Sequence, residues 1–238
     1  MIGWTAKMRT DYLNNKEDCW YKDICPKYKS NCSSSCVRFL KMSFLANNAL
    51  LTPRQQHPIK LLVEDVDLEA YNKLNDIKKN IVKFVQDSNN LLIHSKTTGN
   101  GKTEWSLKLI MSYFDKIWPY DDFTVRGLFI NVQRFFNTLK EDINESQEYI
   151  KHIRDNIVKA DLVIWDEIGI KNLSNYEHDY LLSYINARID NGKSNIFTTN
   201  ASIQELYELL GDRLYSRIIN TSIIVELKGC DKRGMNND

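Results

Sequence analysis

The sequence predicts an α/β fold, a parallel sheet with helices on both faces, preceded by a small Cys-rich N-terminal module. Three observations predict it. Strands and helices alternate from about residue 60 onward, one strand is a continuous apolar run ending in two carboxylates, and four of the five cysteines fall between positions 19 and 36. Apolar strands alternating with amphipathic helices bury both faces of a parallel sheet. With 238 residues, 42% of them hydrophobic, the chain has material for one full α/β domain and a small appendage.

Residues 1–58 read as the Cys- and Lys-rich module and its linker, and residues 59–238 as the α/β domain. Within the first part the periodicity is weak. Residues 51–58 read as the linker because Pro53 and Pro58 oppose a regular element. Residues 67–86 read as a helix, with Leu68, Tyr71, Leu74, Ile77, Ile81, Phe84 and Val85 at helical spacing. Residues 90–94 form a short apolar strand, and residues 102–117 a helix carrying Trp105, Leu107, Leu109, Ile110 and Tyr113. Residues 126–131 read as a strand, and 132–142 and 145–159 as helices. Residues 161–165 are a buried strand and 175–190 an amphipathic helix. A strand at 194–198, a helix at 202–210 and a strand at 223–227 complete the order.

The chemistry concentrates after the first strand. The run Ser95-Lys96-Thr97-Thr98-Gly99-Asn100-Gly101-Lys102-Thr103 joins a strand to a helix through a small polar loop. Gly99 and Gly101 allow the backbone N–H groups to turn inward, and the next helix presents its positive end to an anion. Lys102 supplies a point charge for β- and γ-phosphates, and the Thr103 hydroxyl is a Mg²⁺ ligand. The pattern G-x-x-x-x-G-K-[ST] asks for glycine where this chain has Lys96, which a side chain can occupy at negative φ. About sixty residues later, the strand Leu162-Val163-Ile164-Trp165 ends in Asp166-Glu167. A buried strand would place Asp166 at the carboxyl edge of the sheet to hold Mg²⁺, and Glu167 to polarise a water. Phosphoryl transfer needs mainly positioning and charge neutralisation, which these groups supply.

Charge and cysteine usage bound the rest. The net charge of +1 excludes a general polycation, so any nucleic-acid contact is a local patch. Residues 1–60 hold ten Lys/Arg against four Asp/Glu, an excess of six, and the remainder is negative by five. No secretory signal and no run long enough for a membrane span is visible, so a cytoplasmic protein is expected. In a reducing compartment, Cys19, Cys25, Cys32 and Cys36 in the pattern C-x5-C-x6-C-x3-C read as Zn²⁺ ligands, with an iron–sulfur cluster and unliganded thiols as alternatives. Cys230 stands apart as a lone thiol.

Together the motifs of about residues 65–230 resemble those of the AAA+ helicase-loader ATPases of the DnaC and DnaI type and of their transposition-helper relatives such as IstB. The resemblance makes the fold a P-loop AAA+ sheet. It makes Gly99, Asn100, Gly101, Lys102 and Thr103, with Thr98 and Glu104 beside them, the Walker A nucleotide site, and Asp166-Glu167-Ile168-Gly169 the Walker B motif. Asn195-Ile196-Phe197-Thr198-Thr199-Asn200 is similar to a sensor 1 strand, which implies that Asn200 places the lytic water. Residues 211–218 are similar to an arginine-finger region, with Arg217 as the finger and Arg213 as the alternative. On the residues alone, Arg213 and Arg217 share one helical face, where a surface ion pair is the default. Asn186-Ala187-Arg188 also matches the family, without a role for Arg188. Few residues follow the last strand, so a full helical lid is not expected.

The resemblance implies ATP and Mg²⁺ as cofactors and an ATP-dependent replication protein that loads or remodels a replicative DnaB-type helicase. It also implies contact with single-stranded DNA, self-association through the ATPase domain, and helicase contact by the N-terminal module. A transposition helper, or a nucleotide-gated adaptor with little hydrolysis, is the alternative. Arg134, Phe135, Phe136 and Lys140 are candidates for DNA contact, although helical spacing assigns the two phenylalanines to the core.

Overall fold

The structure, a computed structural model, describes residues 19–26, 28, 32, 35–140 and 144–232. Residues 141–142 of the helix expected over 132–142, and most of the first 35 residues of the Cys-rich module, lie outside that set. Five strands, β1 (Asn90–His94), β2 (Gly127–Asn131), β3 (Leu162–Asp166), β4 (Ser194–Thr199) and β5 (Ser222–Glu226), form one sheet in the order β2-β3-β4-β1-β5. Every pairing is parallel, with Leu91 opposite Ile196 and Ile223, and Ile164 opposite Phe129 and Ile196. All carboxyl ends therefore meet at one edge.

Among the described residues eight α-helices flank the sheet: α1 (Val37–Asn48), α2 (Leu68–Lys79), α3 (Ile81–Gln86), α4 (Lys102–Ile117), α5 (Val132–Lys140), α6 (Asn144–Asn156), α7 (Asn175–Asp190) and α8 (Ile203–Ile219). The two-residue period of a strand splits the core in two. Leu91, Ile93, Ile164 and Ile196 pack with Leu45, Leu74, Phe84, Ile110 and Phe114 on the α1–α4 side. Leu92, Val163, Trp165 and Phe197 pack with Phe135, Ile153, Leu181, Ile185 and Leu214 on the α5–α8 side.

Three local outcomes differ from the linear reading. The helix expected over 67–86 divides at Asn80 (φ −104°, ψ 24°), whose side chain donates to the Asp76 carbonyl at 3.0 Å. The helix expected to end at Leu210 resumes beyond Gly211 (φ 69°, ψ 165°), and Leu206, Leu210, Leu214 and Ile218 keep one buried stripe across the break. Helix α1 arises where little periodicity is visible, because Met42, Leu45 and Ala46 bury against the sheet domain. The Phe129 N–H donates to the Ala49 carbonyl at 2.8 Å, and His152 Nε2 lies 2.7 Å from the Asn48 carbonyl. The Pro-flanked segment after α1 is also tied down. Gln56 donates to Asn47 Oδ1 (2.8 Å) and the Leu51 carbonyl (3.1 Å), and its own carbonyl accepts from Trp20 Nε1 (3.0 Å). Among the described residues no helix is long and apolar enough to cross a membrane.

Candidate functional site

The loop after β1 is shaped by three devices. Gly99 (φ 70°) and Gly101 (φ 107°) take the left-handed conformations that turn the backbone inward, and a Cβ on Gly101 would stand 2.7 Å from Leu61 Cδ1. Lys96, in the place of the first pattern glycine, keeps a negative φ and an exposed side chain, so it fits without strain. The buried Asn100 side chain donates to Ser95 Oγ (2.5 Å) and to the Leu227 carbonyl (3.3 Å), fastening the loop to β1 and to the chain after β5. Lys102 heads α4 with its ammonium folded over the loop, donating to the Thr97 carbonyl at 2.7 Å and Asn100 Oδ1 at 3.2 Å.

Beside it, Asp166 ends β3 with its carboxylate only 4% exposed. Thr103 and Thr198 both donate to Asp166 Oδ1, at 2.9 and 2.8 Å. Burial pushes the Asp166 carboxyl above its usual range, the two hydroxyl donors pull it back, and the neighbouring Glu167 charge adds to the upward push. A buried carboxylate with a hydroxyl alongside is a hard oxygen donor set, and it fits Mg²⁺. Glu167 follows at φ 62°, an uncommon conformation for a non-glycine residue. Its N–H donates to Thr198 Oγ1 (3.0 Å), and its carboxylate accepts from Asn131 Nδ2 at 2.7 Å. Asn131 ends β2, and its Oδ1 also accepts from the Arg134 N–H at 3.0 Å.

These groups face a cavity of about 560 Å³. Gly99, Gly101, Lys102 and Thr103 form one wall, and Glu167, Thr198, Thr199 and Asn200 another. Ile59 and Leu61, with Arg54, supply an apolar side suited to a base. Glu104 also lines the cavity, and its Oε2 accepts from the Ile59 N–H at 3.2 Å, which fixes that side. Lys232 completes the rim. Its N–H donates to the Gly99 carbonyl (3.0 Å) and its ammonium to the Leu62 carbonyl (2.8 Å), with Glu64 at 3.5 Å. Thr98 is exposed and lies outside the lining. Sequence reasoning missed Asn131, Arg54, Ile59, Leu61 and Lys232, and named Thr198 only within the sensor 1 strand. A polar residue closing an apolar strand was a readable signal for Asn131, whereas nothing local marks Arg54 or Lys232.

Other expected residues lie elsewhere. Arg213 and Arg217 are exposed on α8 and line a separate concavity of about 510 Å³ with Leu182, Asn186, Asp212 and Ser216. They do not join this chain's own phosphate site. Arg188 is fully buried and holds strand ends together, as taken up below. Phe135 and Phe136 are core residues, as their spacing indicates. Lys140 pairs with Glu177 at 3.1 Å, and the Arg134 guanidinium stands 5.2 Å from the Tyr149 ring centre.

The zinc expectation finds no support. Among the described residues no group of three or more His, Cys, Asp or Glu side chains is placed to hold a metal ion. Burial raises the Cys19 thiol, a hydrogen bond from the Tyr21 backbone opposes, and the charges of Cys32, Cys36 and Cys25 add to the rise.

The family described as IstB-like ATP binding protein matches residues 55–236. The replicative helicase loader DnaC of Escherichia coli (strain K12) is 22% identical over 186 residues, which are 76% of this chain and 71% of that protein. The solved structure of DnaI superposes with a TM-score of 0.57 at 18% identity, covering 77% of this chain and 94% of that one. For the DnaC helicase loader structure the values are 0.55 and 17%, covering 73% and 96%.

Proposed function

The chain belongs to the IstB-like ATP-binding protein family, and from that premise we propose that it hydrolyses ATP to load or remodel a replicative helicase on DNA. One observation carries the hydrolytic part. A buried carboxylate, Asp166, is shared by Thr103 and Thr198, and both of these, with Glu167, line an open cavity. Lys102 swings from the Thr97 carbonyl to the β- and γ-phosphates, and the backbone N–H groups around Gly99 and Gly101 cradle them. Thr103 and Asp166 would hold Mg²⁺, which would neutralise phosphate charge. Glu167 accepts the proton of a water whose oxygen attacks the γ-phosphorus. The bond to the β–γ bridging oxygen breaks, giving ADP and inorganic phosphate. Asn200 orients that water from the end of β4.

Similarity to the helicase loader DnaC supports a DnaB-type helicase as partner. It favours the replication reading over a transposition helper. Arg217, with Arg213 as the alternative, lies away from its own site and would enter a neighbouring subunit's cavity, which makes self-association part of the proposal. Single-stranded DNA is the proposed nucleic-acid partner. The test captures replicative helicase on purified full-length protein, with ATP and without nucleotide, and measures turnover alongside. ATP-dependent capture with measurable hydrolysis is expected. Capture without turnover replaces the loader by a nucleotide-gated adaptor, and turnover without capture moves the partner elsewhere.

A further inference from the structure

A second cavity, of about 450 Å³, opens between α2 and α4. Pro58, Ile59 and Lys60 form its rim, so Ile59 borders this cavity and the nucleotide cavity alike. Lys60, Lys78 and Lys108 all line it, and the Lys78 charge bears directly on Lys108. Among the described residues none of these three is paired with a carboxylate, whereas Lys79, Lys83, Lys140 and Lys193 each are. The single acid in the lining, Asp115, is engaged by Tyr21 Oη at 2.6 Å and Arg38 Nη2 at 3.3 Å. Lys108 is the innermost cation. Its ammonium stands 5.2 Å from the Trp105 ring centre, and Trp105 meets Tyr71 edge-on at 5.2 Å. Burial, then the charge of Lys78, pushes the Lys108 ammonium down to about 8, with Glu104 opposing and Lys232 adding.

Like charges gathered in a partly desolvated pocket are costly, and an anion among them removes the cost. We propose that this cavity is a second anion site, separate from the P-loop, that takes a phosphate-bearing ligand. Three ammonium donors suit the spread charge of a phosphate ester, and the aromatic wall behind Lys108 limits competing water. Trp105 is only 3% exposed and offers no open face for stacking, so the recognition is of phosphate rather than of a base. The site also touches the nucleotide cavity. Glu104, one helical turn before Lys108, holds the Ile59 N–H at 3.2 Å. The Glu104 charge acts on Lys108 from one turn away, so an anion bound at Lys108 would repel Glu104 and alter the apolar side of the ATP cavity.

The test is competitive amine labelling of the full-length chain between pH 7 and 10, read residue by residue by mass spectrometry. The probes are inorganic pyrophosphate and, separately, an oligodeoxythymidine. Either anion raises the pH at which Lys108 becomes reactive. A rise of one unit cuts the neutral fraction at pH 8 from about one half to about one tenth, a drop of about fivefold in labelling. The protection persists in Lys102→Ala, which disables the P-loop, and is lost in the Lys60→Gln/Lys78→Gln double variant. Protection by pyrophosphate assigns the ligand to free phosphate groups, and protection by the oligonucleotide alone assigns it to a nucleic-acid backbone. Unchanged Lys108 labelling with both probes overturns the site. So does protection that vanishes in Lys102→Ala, or that survives in the double variant.

Discussion

At the amino end of the strands, the buried Arg188 guanidinium donates to the Ile157, Ala160 and Ser194 carbonyls at 2.5, 2.8 and 2.5 Å, and to Asn195 Oδ1 at 2.7 Å. Asn195 in turn accepts from Trp165 Nε1 and donates to Asn90 Oδ1. Burial lowers the Arg188 guanidinium to about 9 against the opposing charge of Asp161. At the carboxyl end of the same strands, the Asp166 carboxylate is nearly as deeply buried, but its neighbours Lys102, Glu167 and Asn200 line an open cavity. Both ends bury charge, Arg188 at one and Asp166 with Lys102 at the other. The Arg188 end satisfies it within the protein and encloses it, so that cluster works as a clasp. The Asp166 end leaves a buried anion beside an open cavity, and on the proposed reading that cluster takes a cation and phosphates. Polar burial alone therefore does not mark a functional site; what marks it is polar burial next to accessible space.

The comparison breaks most sharply at Arg188. Arg188→Met leaves three buried carbonyls without their donor and is expected to cost about 3–5 kcal/mol of unfolding free energy, read by denaturant titration. ATP affinity below the melting transition should stay within about twofold, and a lost affinity in the folded variant would join the two ends functionally. Next, Glu167→Gln is expected to keep ATP binding and lower turnover by about 10²–10³-fold in single-turnover hydrolysis. Wild-type turnover would remove Glu167 from the chemistry. Lys102→Ala should weaken ATP binding by about a hundredfold, ~3 kcal/mol, in equilibrium titration without moving the melting temperature. Asn131→Ala frees the Glu167 carboxylate and should lower turnover by about three- to tenfold at unchanged affinity.

The smallest effect sharpens the contrast through pH. Because burial raises the Asp166 carboxyl, ionising it costs the fold stability as pH rises from the ordinary carboxylate range to neutrality. Asp166→Asn removes that cost and should stabilise the nucleotide-free protein by about 1 kcal/mol at pH 7, with the gain shrinking toward pH 4. Stabilisation of the wild type by Mg²⁺ should be absent in this variant. A variant less stable than wild type at neutral pH would show that Asp166 belongs to the fold's own support, as Arg188 does.

Much of the site was legible because it is local. The glycines, Lys102 and Thr103 are contiguous, and the apolar run before Asp166 announces a buried strand with a carboxylate at its end. Capping boxes at Ser174/Glu177 and Ser202/Glu205 likewise begin α7 and α8 in plain sequence patterns. Helix α1 was not legible, because its burial depends on contacts with β2 and α4 that local periodicity does not encode. Arg188 matched a family pattern, yet its role follows from carbonyls supplied by the connection between α6 and β3 and by β4.

The sequence by itself determined the strand–loop–helix order, the phosphate loop and the carboxylate pair, since each rests on neighbours along the chain. Tertiary structure alone decided the strand order that brings β1, β3 and β4 side by side, and with it the meeting of Thr103, Asp166 and Thr198. It also decided the separation of Arg217 from its own cavity and the gathering of Lys60, Lys78 and Lys108. The physical reason is range. Backbone preference and period act over a few residues, whereas hydrogen bonds to a buried charge and repulsion among cations depend on distances that only packing sets.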